Sequence, residues 1–194
     1  MFITFEGCDG SGKTVQAGLL RDRLGERAVL LREPGGTEVG EQIRRILISK
    51  ENGAMRAQAE ALLYAAARAQ LTEEKIKPAL KQGLTIICDR FIDSSVAYQC
   101  FGRGLPRDFI ERINSFSAPE PDVTFFLDLP PEKSMLRMKE SGLDRIELAD
   151  AEFHRRVYAG YKALAAAGGR FVVVDASRER DEIHEEIMKT LVYI

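Results

Sequence analysis

A glycine-rich loop near the start of the chain is the first group of residues whose types and spacing could do chemistry. It satisfies the pattern G-x-x-x-x-G-K-S/T between a predicted strand and a predicted helix, with the residues Gly7, Cys8, Asp9, Gly10, Ser11, Gly12, Lys13 and Thr14. Glycines let the backbone curl until successive N–H groups point at phosphate oxygens. Lys13 supplies a charge for the β and γ phosphates, and the Thr14 hydroxyl can bind Mg²⁺. The motif predicts a site for a nucleoside triphosphate.

The loop alone does not separate a kinase from a GTPase or an ATP-driven motor, because all three bind a triphosphate. A GTP-binding switch normally carries an Asn-Lys-x-Asp tetrapeptide, and the sequence has none. A chain of 194 residues is also short for a motor. We therefore expect phosphoryl transfer to a small acceptor. A regulatory nucleotide-hydrolysing module is the alternative.

An acidic and a basic residue follow the apolar run Leu84–Cys88. Asp89 could reach Mg²⁺ or its water, and Arg90 could bridge donor and acceptor phosphates with both arms of its guanidinium. An ion pair that only stabilises the strand end is the alternative. In a helix, the next residues would present one face with a hydroxyl, a ring and an amide, from Ser95, Tyr98 and Gln99. Such a face could read the edge of a base.

A ring and a guanidinium four residues apart form a second candidate pair. Tyr64 and Arg68 share one face of a predicted helix. The ring could stack on a base while the guanidinium bonds a carbonyl. Core packing of Tyr64 and a solvated Arg68 stay open as the alternative.

Alternating short and long segments place these residues. Runs rich in β-branched and aromatic residues predict strands at 1–5, 28–31, 84–88, 123–127 and 171–174. Helical spacing is seen at 15–24, 55–82, 106–115 and 153–167. This rhythm predicts one domain over 1–194, an α/β fold with a five-stranded parallel sheet and helices on both faces. Ligands of such sheets bind beyond the carboxyl ends of the strands.

Composition restricts the partners. The net charge of -2 gives no overall attraction to nucleic acid or to an anionic membrane. No apolar run approaches the roughly 18 residues that span a bilayer, and the first residues lack a signal-peptide pattern. We expect a cytoplasmic protein. Cys8, Cys88 and Cys100 have no metal-type spacing and are expected to be reduced thiols.

Taken in order, these motifs resemble the thymidylate kinases of bacteria over nearly the whole chain. The ordered set is the phosphate loop with Phe5 and Glu6 before it, then 32–37 (REPGGT), 62–68 (LLYAAAR), 89–99 (DRFIDSSVAYQ) and 144–147 (DRIE). The resemblance implies a P-loop NTPase fold, ATP and Mg²⁺, dTMP as acceptor and a homodimer. A P-loop kinase for another small acceptor, such as a different nucleoside monophosphate, is the alternative.

Individual roles follow from the same resemblance. It implies that Asp9 contacts the sugar 3'-hydroxyl and that Arg44 and Arg90 bind the acceptor phosphate. Tyr64 corresponds to the ring that stacks on thymine, and Tyr98 to the ring near the sugar 2' position. The pyrimidine edge would be read by Arg68 together with Gln99 or Ser95.

A polar, basic segment at about 133–147 is expected to be a short mobile lid. The family places its catalytic cation either in the phosphate loop or in the lid. Between Asp9 and Lys13 this loop has no basic residue, so the resemblance implies a lid cation. Arg145 is the predicted residue, with Arg137 and Lys139 also available. Ser141 stands where relatives can have a basic residue.

Overall fold

The computed structural model describes residues 1–115, 118–138 and 143–192. Five strands within these ranges form one parallel sheet in the order β2-β3-β1-β4-β5. The strands are β1 (Phe2–Glu6), β2 (Ala28–Arg32), β3 (Thr85–Asp89), β4 (Val123–Asp128) and β5 (Phe171–Asp175). The predicted α/β fold with a five-stranded parallel sheet is confirmed.

Every strand ends one residue later than the apolar runs predict. The added residue is charged in each case: Glu6, Arg32, Asp89, Asp128 and Asp175. Hydropathy marks where a strand is buried, whereas backbone pairing continues to the edge of the sheet. The carboxyl edge therefore presents a row of charged side chains, at the position where parallel sheets bind ligands.

The helices follow the predicted alternation. Their bounds are α1 (Lys13–Leu24), α2 (Glu38–Ile48), α3 (Ala57–Leu71), α4 (Lys77–Lys81), α5 (Ile92–Ser95), α6 (Arg107–Asn114), α7 (Pro131–Arg137), α8 (Ala151–Ala166) and α9 (Arg180–Val192). The helical stretch predicted at 55–82 consists of α3 and α4 joined by a π-helical turn at Thr72–Ile76. A second π-helical segment, Val96–Gly102, continues α5.

Both faces of the sheet are covered, because successive side chains of a strand point to opposite sides. Phe125 of β4 packs in one cluster with Leu20 of α1 and Ile187 of α9. Its neighbour Phe126 packs on the other face with Tyr161 of α8. The two helix layers hold the carboxyl edge of the sheet in place from both sides.

Part of the predicted lid belongs to the described chain. Helix α7 and residues 143–147 are described, whereas Lys139, Ser141 and Gly142 lie outside the described residues. Among the helices that are described, none is long and apolar enough to cross a membrane. Cys8, Cys88 and Cys100 are free thiols.

Candidate active site

The phosphate-binding loop joins β1 to α1, in the context that its motif requires. Gly7, Gly10 and Gly12 have φ angles of 142°, 79° and 96°, which side chains rarely adopt. A Cβ on Gly7 would lie 2.7 Å from the carbonyl oxygen of Leu127. Lys13 is 6% exposed, and its Nζ donates to the carbonyl of Cys8 at 2.7 Å. The loop has the curl of an anion-binding loop, with its lysine held inside.

The two predicted metal ligands are in contact. Thr14 on α1 donates from its hydroxyl to a carboxylate oxygen of Asp89, at the end of β3. The neighbouring strand β1 carries the loop, so the two residues meet at the carboxyl edge of the sheet. Their oxygens form a pair of the hard-ligand type that Mg²⁺ prefers.

Asp9 and Arg90 form the charged centre of the site. Arg90 pairs with Asp9 and also donates from Nη1 to the carbonyl of Gly7 at 3.0 Å. The Tyr98 hydroxyl donates to the other oxygen of Asp9 at 2.7 Å. Burial raises the pKa of Asp9, but Arg90 and Lys13 outweigh it and hold that pKa below its ordinary value. Asp9 is therefore ionised at neutral pH.

The backbone of Arg90 is unusual as well. Its φ of 70° is the one positive value for a non-glycine residue in the described chain. Such a conformation is uncommon outside glycine and clusters at functional sites. It lets the guanidinium turn back from the end of β3 towards the loop.

A pocket lies next to this centre and gathers most of the predicted acceptor residues. Asp9 comes from the phosphate loop, Arg44 from α2 and Tyr64 from α3. The other predicted acceptor residues that line the pocket lie in the segment 90–99, directly after β3. The complete lining is Asp9, Arg44, Ile48, Tyr64, Arg90, Ser94, Ser95, Tyr98, Gln99, Asp144, Ile146 and Glu147. The predicted residues thus converge from separate elements on one cavity.

A second cavity runs along the phosphate loop. It is lined by Asp9, Gly10, Gly12, Lys13, Thr14, Val15, Arg32, Glu33, Arg44, Asp89, Arg90, Arg137 and Glu147. Four residues line both cavities: Asp9, Arg44, Arg90 and Glu147. A phosphate donor on the loop and an acceptor in the pocket would therefore face each other across Asp9 and Arg90.

Comparison with known proteins decides the family. The model of the family described as "Thymidylate kinase" matches residues 5–187. The chain belongs to the thymidylate kinase family. A thymidylate kinase from Pelotomaculum thermopropionicum is 50% identical over 97% of this chain and 91% of its own length. One from Exiguobacterium sp. is 46% identical over 97% of this chain and 92% of its own length.

A solved structure agrees. The crystal structure of thymidylate kinase from Ehrlichia chaffeensis superposes with a TM-score of 0.82 at 36% identity, covering 98% of this chain and 97% of that one. The predicted resemblance, the P-loop NTPase type of fold and the kinase class are thereby confirmed.

Arg68 lies behind the wall of the acceptor pocket in this thymidylate kinase family member. Its side chain is 2% exposed and pairs with Glu33 at 2.7 Å. It also donates to Ser95 Oγ at 3.0 Å and to Asn114 Oδ1 at 2.6 Å. The spacing along α3 predicts that Arg68 shares a helix face with Tyr64. It does not predict that Arg68 pairs with Glu33, which follows β2. Arg68 reaches the pocket through Ser95.

Arg145 departs from its predicted place at the transferred phosphate. It pairs with Glu60 at 2.8 Å, and its Nε donates to the carbonyl of Leu47 at 2.8 Å. Its backbone N–H bonds the carbonyl of Ile48 at 3.1 Å. These contacts hold residues 144–147 over the acceptor pocket, and Arg145 is not among the residues that line the phosphate cavity. The sequence could not supply the buried partner Glu60.

Arg137, the last residue of α7, lines the phosphate cavity instead. Its Nη1 donates to the carbonyl of Ala176, beyond β5, at 3.0 Å. Helix α7 lies directly against the loop, since a Cβ on Gly10 would collide with the carbonyl oxygen of Ser134. Gly10 is thus required both by its backbone conformation and by the approach of α7.

Sequence reasoning missed the network behind Arg90. Glu6 is fully buried at the end of β1 and accepts from the Phe91 N–H, Ser94 Oγ and Tyr161 OH at 2.7, 2.6 and 2.9 Å. Arg90 donates to Tyr161 OH at 3.0 Å. Burial, helped by the nearby Asp93, raises the pKa of Glu6 to about 7. A charged residue directly after an apolar strand run was the available signal.

Proposed function

We propose that this chain transfers the γ-phosphoryl group of ATP to dTMP, which gives dTDP and ADP. The observation that carries the proposal is the meeting of two cavities at Asp9 and Arg90. One cavity follows a phosphate-binding loop, and the other offers a ring, hydroxyls and an amide. In-line transfer between two phosphates needs this face-to-face arrangement.

The donor side fits the phosphates of ATP. Ser11 Oγ is buried in the loop without a hydrogen-bond partner among the described residues, so a phosphate oxygen would satisfy it. A Cβ on Gly12 would meet nothing within 4 Å, which leaves room beside the backbone. Lys13 would neutralise the β and γ phosphates. Gly7 to Thr14 would hold the triphosphate as a unit.

Mg²⁺ fits the pair formed by Thr14 and Asp89. A bound Mg²⁺ would neutralise the phosphate oxygens during transfer. Thr14 would contribute its hydroxyl oxygen, and Asp89 would hold that hydroxyl or a metal-bound water. Both residues line the phosphate cavity, so they could hold the ion without any change in the position of the strands.

The acceptor side fits a nucleoside monophosphate. Arg44 and Arg90 would bind the 5'-phosphate, and Asp9 would accept from the sugar 3'-hydroxyl. Tyr64 is half-buried on the pocket wall and would stack on the base. Tyr98, held by Asp9, would crowd the sugar 2' position and disfavour ribonucleotides. Ser95, supported by Arg68, and Gln99 would read the base edge.

Positioning and charge neutralisation would supply most of the rate acceleration. An acceptor phosphate oxygen is already ionised at neutral pH, so no strong general base is needed. Arg90 spans the two cavities and would stay charged throughout. Arg137 would add a cation from the lid, since the phosphate loop has no basic residue between Asp9 and Lys13. Helix α7, which lies against Gly10, would keep water from the γ-phosphate.

A coupled ADP-release assay with and without dTMP tests the proposal. We expect ADP formation to depend on dTMP and Mg²⁺, and turnover of dTMP to exceed that of dUMP, dCMP and dGMP. Hydrolysis of ATP without any acceptor dependence would instead indicate a nucleotide-hydrolysing module.

A homodimer and a cytoplasmic location are further parts of the proposal. Sedimentation tests the first, and cell fractionation tests the second.

A further inference from the structure

A buried carboxylate stands one helical turn before the ring that would stack on the base. Glu60 precedes Tyr64 by four residues on α3 and is 1% exposed. It does not line the acceptor pocket, and none of the roles proposed above for the phosphate loop and the acceptor residues involves it. A fully buried carboxylate is costly unless it is paired, so its partners reveal what it holds.

Two arginines surround Glu60. Arg103 donates to it from Nε and Nη2, both at 3.1 Å, in the two-armed geometry that suits a carboxylate. Arg145 Nη2 lies 2.8 Å from Glu60 Oε2. Burial raises the pKa of Glu60, but the hydrogen bonds and charge of Arg103 outweigh it and bring that pKa below its ordinary value. Glu60 is therefore an ionised group that can only accept.

The third partner of Glu60 belongs to the acceptor pocket. Gln99 is 2% exposed, and its side-chain amide bonds Glu60 Oε1 at 3.1 Å. An ionised carboxylate accepts hydrogen bonds and cannot donate them, so the amide must present its NH₂ group to Glu60. Its carbonyl oxygen occupies the opposite arm of the amide. Gln99 itself lines the pocket.

We propose that Glu60 is a positioning residue which fixes the Gln99 amide so that Oε1 faces the base and accepts a hydrogen bond from its N3–H. The proposal rests on the proposed acceptor, dTMP. Thymine and uracil carry a hydrogen on N3, whereas N3 of cytosine is a bare acceptor. A fixed Oε1 would therefore favour the first two bases and repel the third.

Rotation of the amide is what Glu60 prevents. An unsupported glutamine could present either its carbonyl or its NH₂ group, since the two arms have nearly the same shape. With NH₂ towards the base, the pocket would accept cytosine and oppose thymine. Glu60 is itself held by two arginines, so the Gln99 NH₂ group donates to a charged acceptor. A hydrogen bond to a charged acceptor is stronger than one to a neutral acceptor, and it opposes rotation of the amide more strongly.

Calorimetric dissociation constants of dTMP, dUMP and dCMP test the role of Glu60. In Glu60→Gln the new amide offers its oxygen to the arginines and an NH₂ group to Gln99. That donor favours the rotated Gln99 amide, whose own NH₂ group then faces the base. We expect the preference for dTMP over dCMP to fall by about ten-fold or more. The ratio of dTMP to dUMP should stay unchanged, because both bases carry N3–H.

Two further variants separate this role from structural support. Gln99→Met removes the amide, so Glu60→Gln added to it should cause no further loss of preference. Arg103→Lys keeps a positive charge beside Glu60 but removes the two-armed contact, so it should lower the Tm without changing the preference. Glu60→Asp keeps the charge and draws the carboxylate back from Gln99, and it should shift the preference in the same direction as Glu60→Gln.

An unchanged preference for dTMP over dCMP in Glu60→Asp or Glu60→Gln overturns the inference. So does a full effect of Glu60→Gln in the Gln99→Met background. The wild-type chain separates the test of the proposed function from the test of Glu60. Failure of wild type to phosphorylate dTMP refutes the proposed function. Turnover of dTMP by wild type, together with a dTMP preference that the Glu60 variants leave unchanged, refutes only the role of Glu60.

Discussion

The donor and acceptor sides of the site are built in different ways. The phosphate loop consists of eight consecutive residues, Gly7 to Thr14, and would bind phosphate mainly through its backbone. The acceptor pocket takes side chains from the loop, α2, α3, the segment after β3 and residues 144–147. One side is local in sequence, and the other is assembled only by the fold.

This difference separates two kinds of sensitivity. A change in the loop alters a backbone geometry that no distant residue can restore, so we expect large losses of rate. The pocket side chains are supported by a buried layer that includes Glu6, Glu60 and Arg68. Changes there should affect selectivity, stability or pH dependence before they abolish turnover.

Lys13→Met should have the largest effect and act on the donor side alone. Removing a charge that neutralises the developing phosphate charge typically lowers kcat by about 10² to 10³. Lys13 lines the phosphate cavity and not the acceptor pocket. Calorimetry should therefore give a Kd for dTMP within about two-fold of wild type. A comparable loss of dTMP affinity would contradict the separation of the two sides.

Gly10→Ala should lower kcat by roughly a hundred-fold, because its Cβ would strike Ser134 on α7 and its φ of 79° is unfavourable for alanine. Gly18→Ala is the matched control. Gly18 lies within α1, and a Cβ there would meet nothing within 4 Å, so stability should rise by about 0.5 to 1 kcal/mol. Equal losses of activity in both variants would exclude the docking of α7 as the cause.

The same contrast explains what the sequence could predict. The five strands follow from apolar runs, and the loop follows from its spacing, because both signals are local. Helical periodicity and resemblance predict Tyr64, Tyr98 and Gln99 as acceptor residues, and the three line one pocket. Partners that lie far away in sequence, such as Glu60 beside Arg145, could not be read from either signal, since ion pairs across elements depend on tertiary packing.

Arg137 and Arg145 test whether tertiary contacts, rather than sequence resemblance, identify the lid cation. Arg137→Ala should lower kcat by about ten-fold with little change in Tm, since the residue is exposed and lines the phosphate cavity. Arg145→Ala should instead cost about 2 kcal/mol of unfolding free energy, because Glu60 loses one of its two arginines but keeps Arg103. Thermal unfolding and initial rates measure both. The reverse pattern would restore Arg145 as the catalytic lid cation.

Glu6 should affect stability rather than turnover, and its effect should depend on pH. Its pKa is about 7 in the folded chain and 4.5 in an ordinary carboxyl group, so the native state holds the extra proton between those values. Its stabilising contribution is therefore complete below pH 4.5 and is lost as the pH rises towards 7. Glu6→Gln carries no titrating proton and should lack this part of the slope.

Urea midpoints of Glu6→Gln and wild type at pH 5 and pH 8 measure the effect. The stability of the variant relative to wild type should improve at the higher pH by about 1 to 3 kcal/mol, since only wild type must then bury a charge behind Arg90. Glu26→Gln, at an exposed carboxyl group, should show no such difference. A relative stability independent of pH would mean that the charge of Arg90 and the hydrogen-bond donors to Glu6 keep Glu6 ionised throughout. Glu6 would then act on Arg90 as a fixed anion.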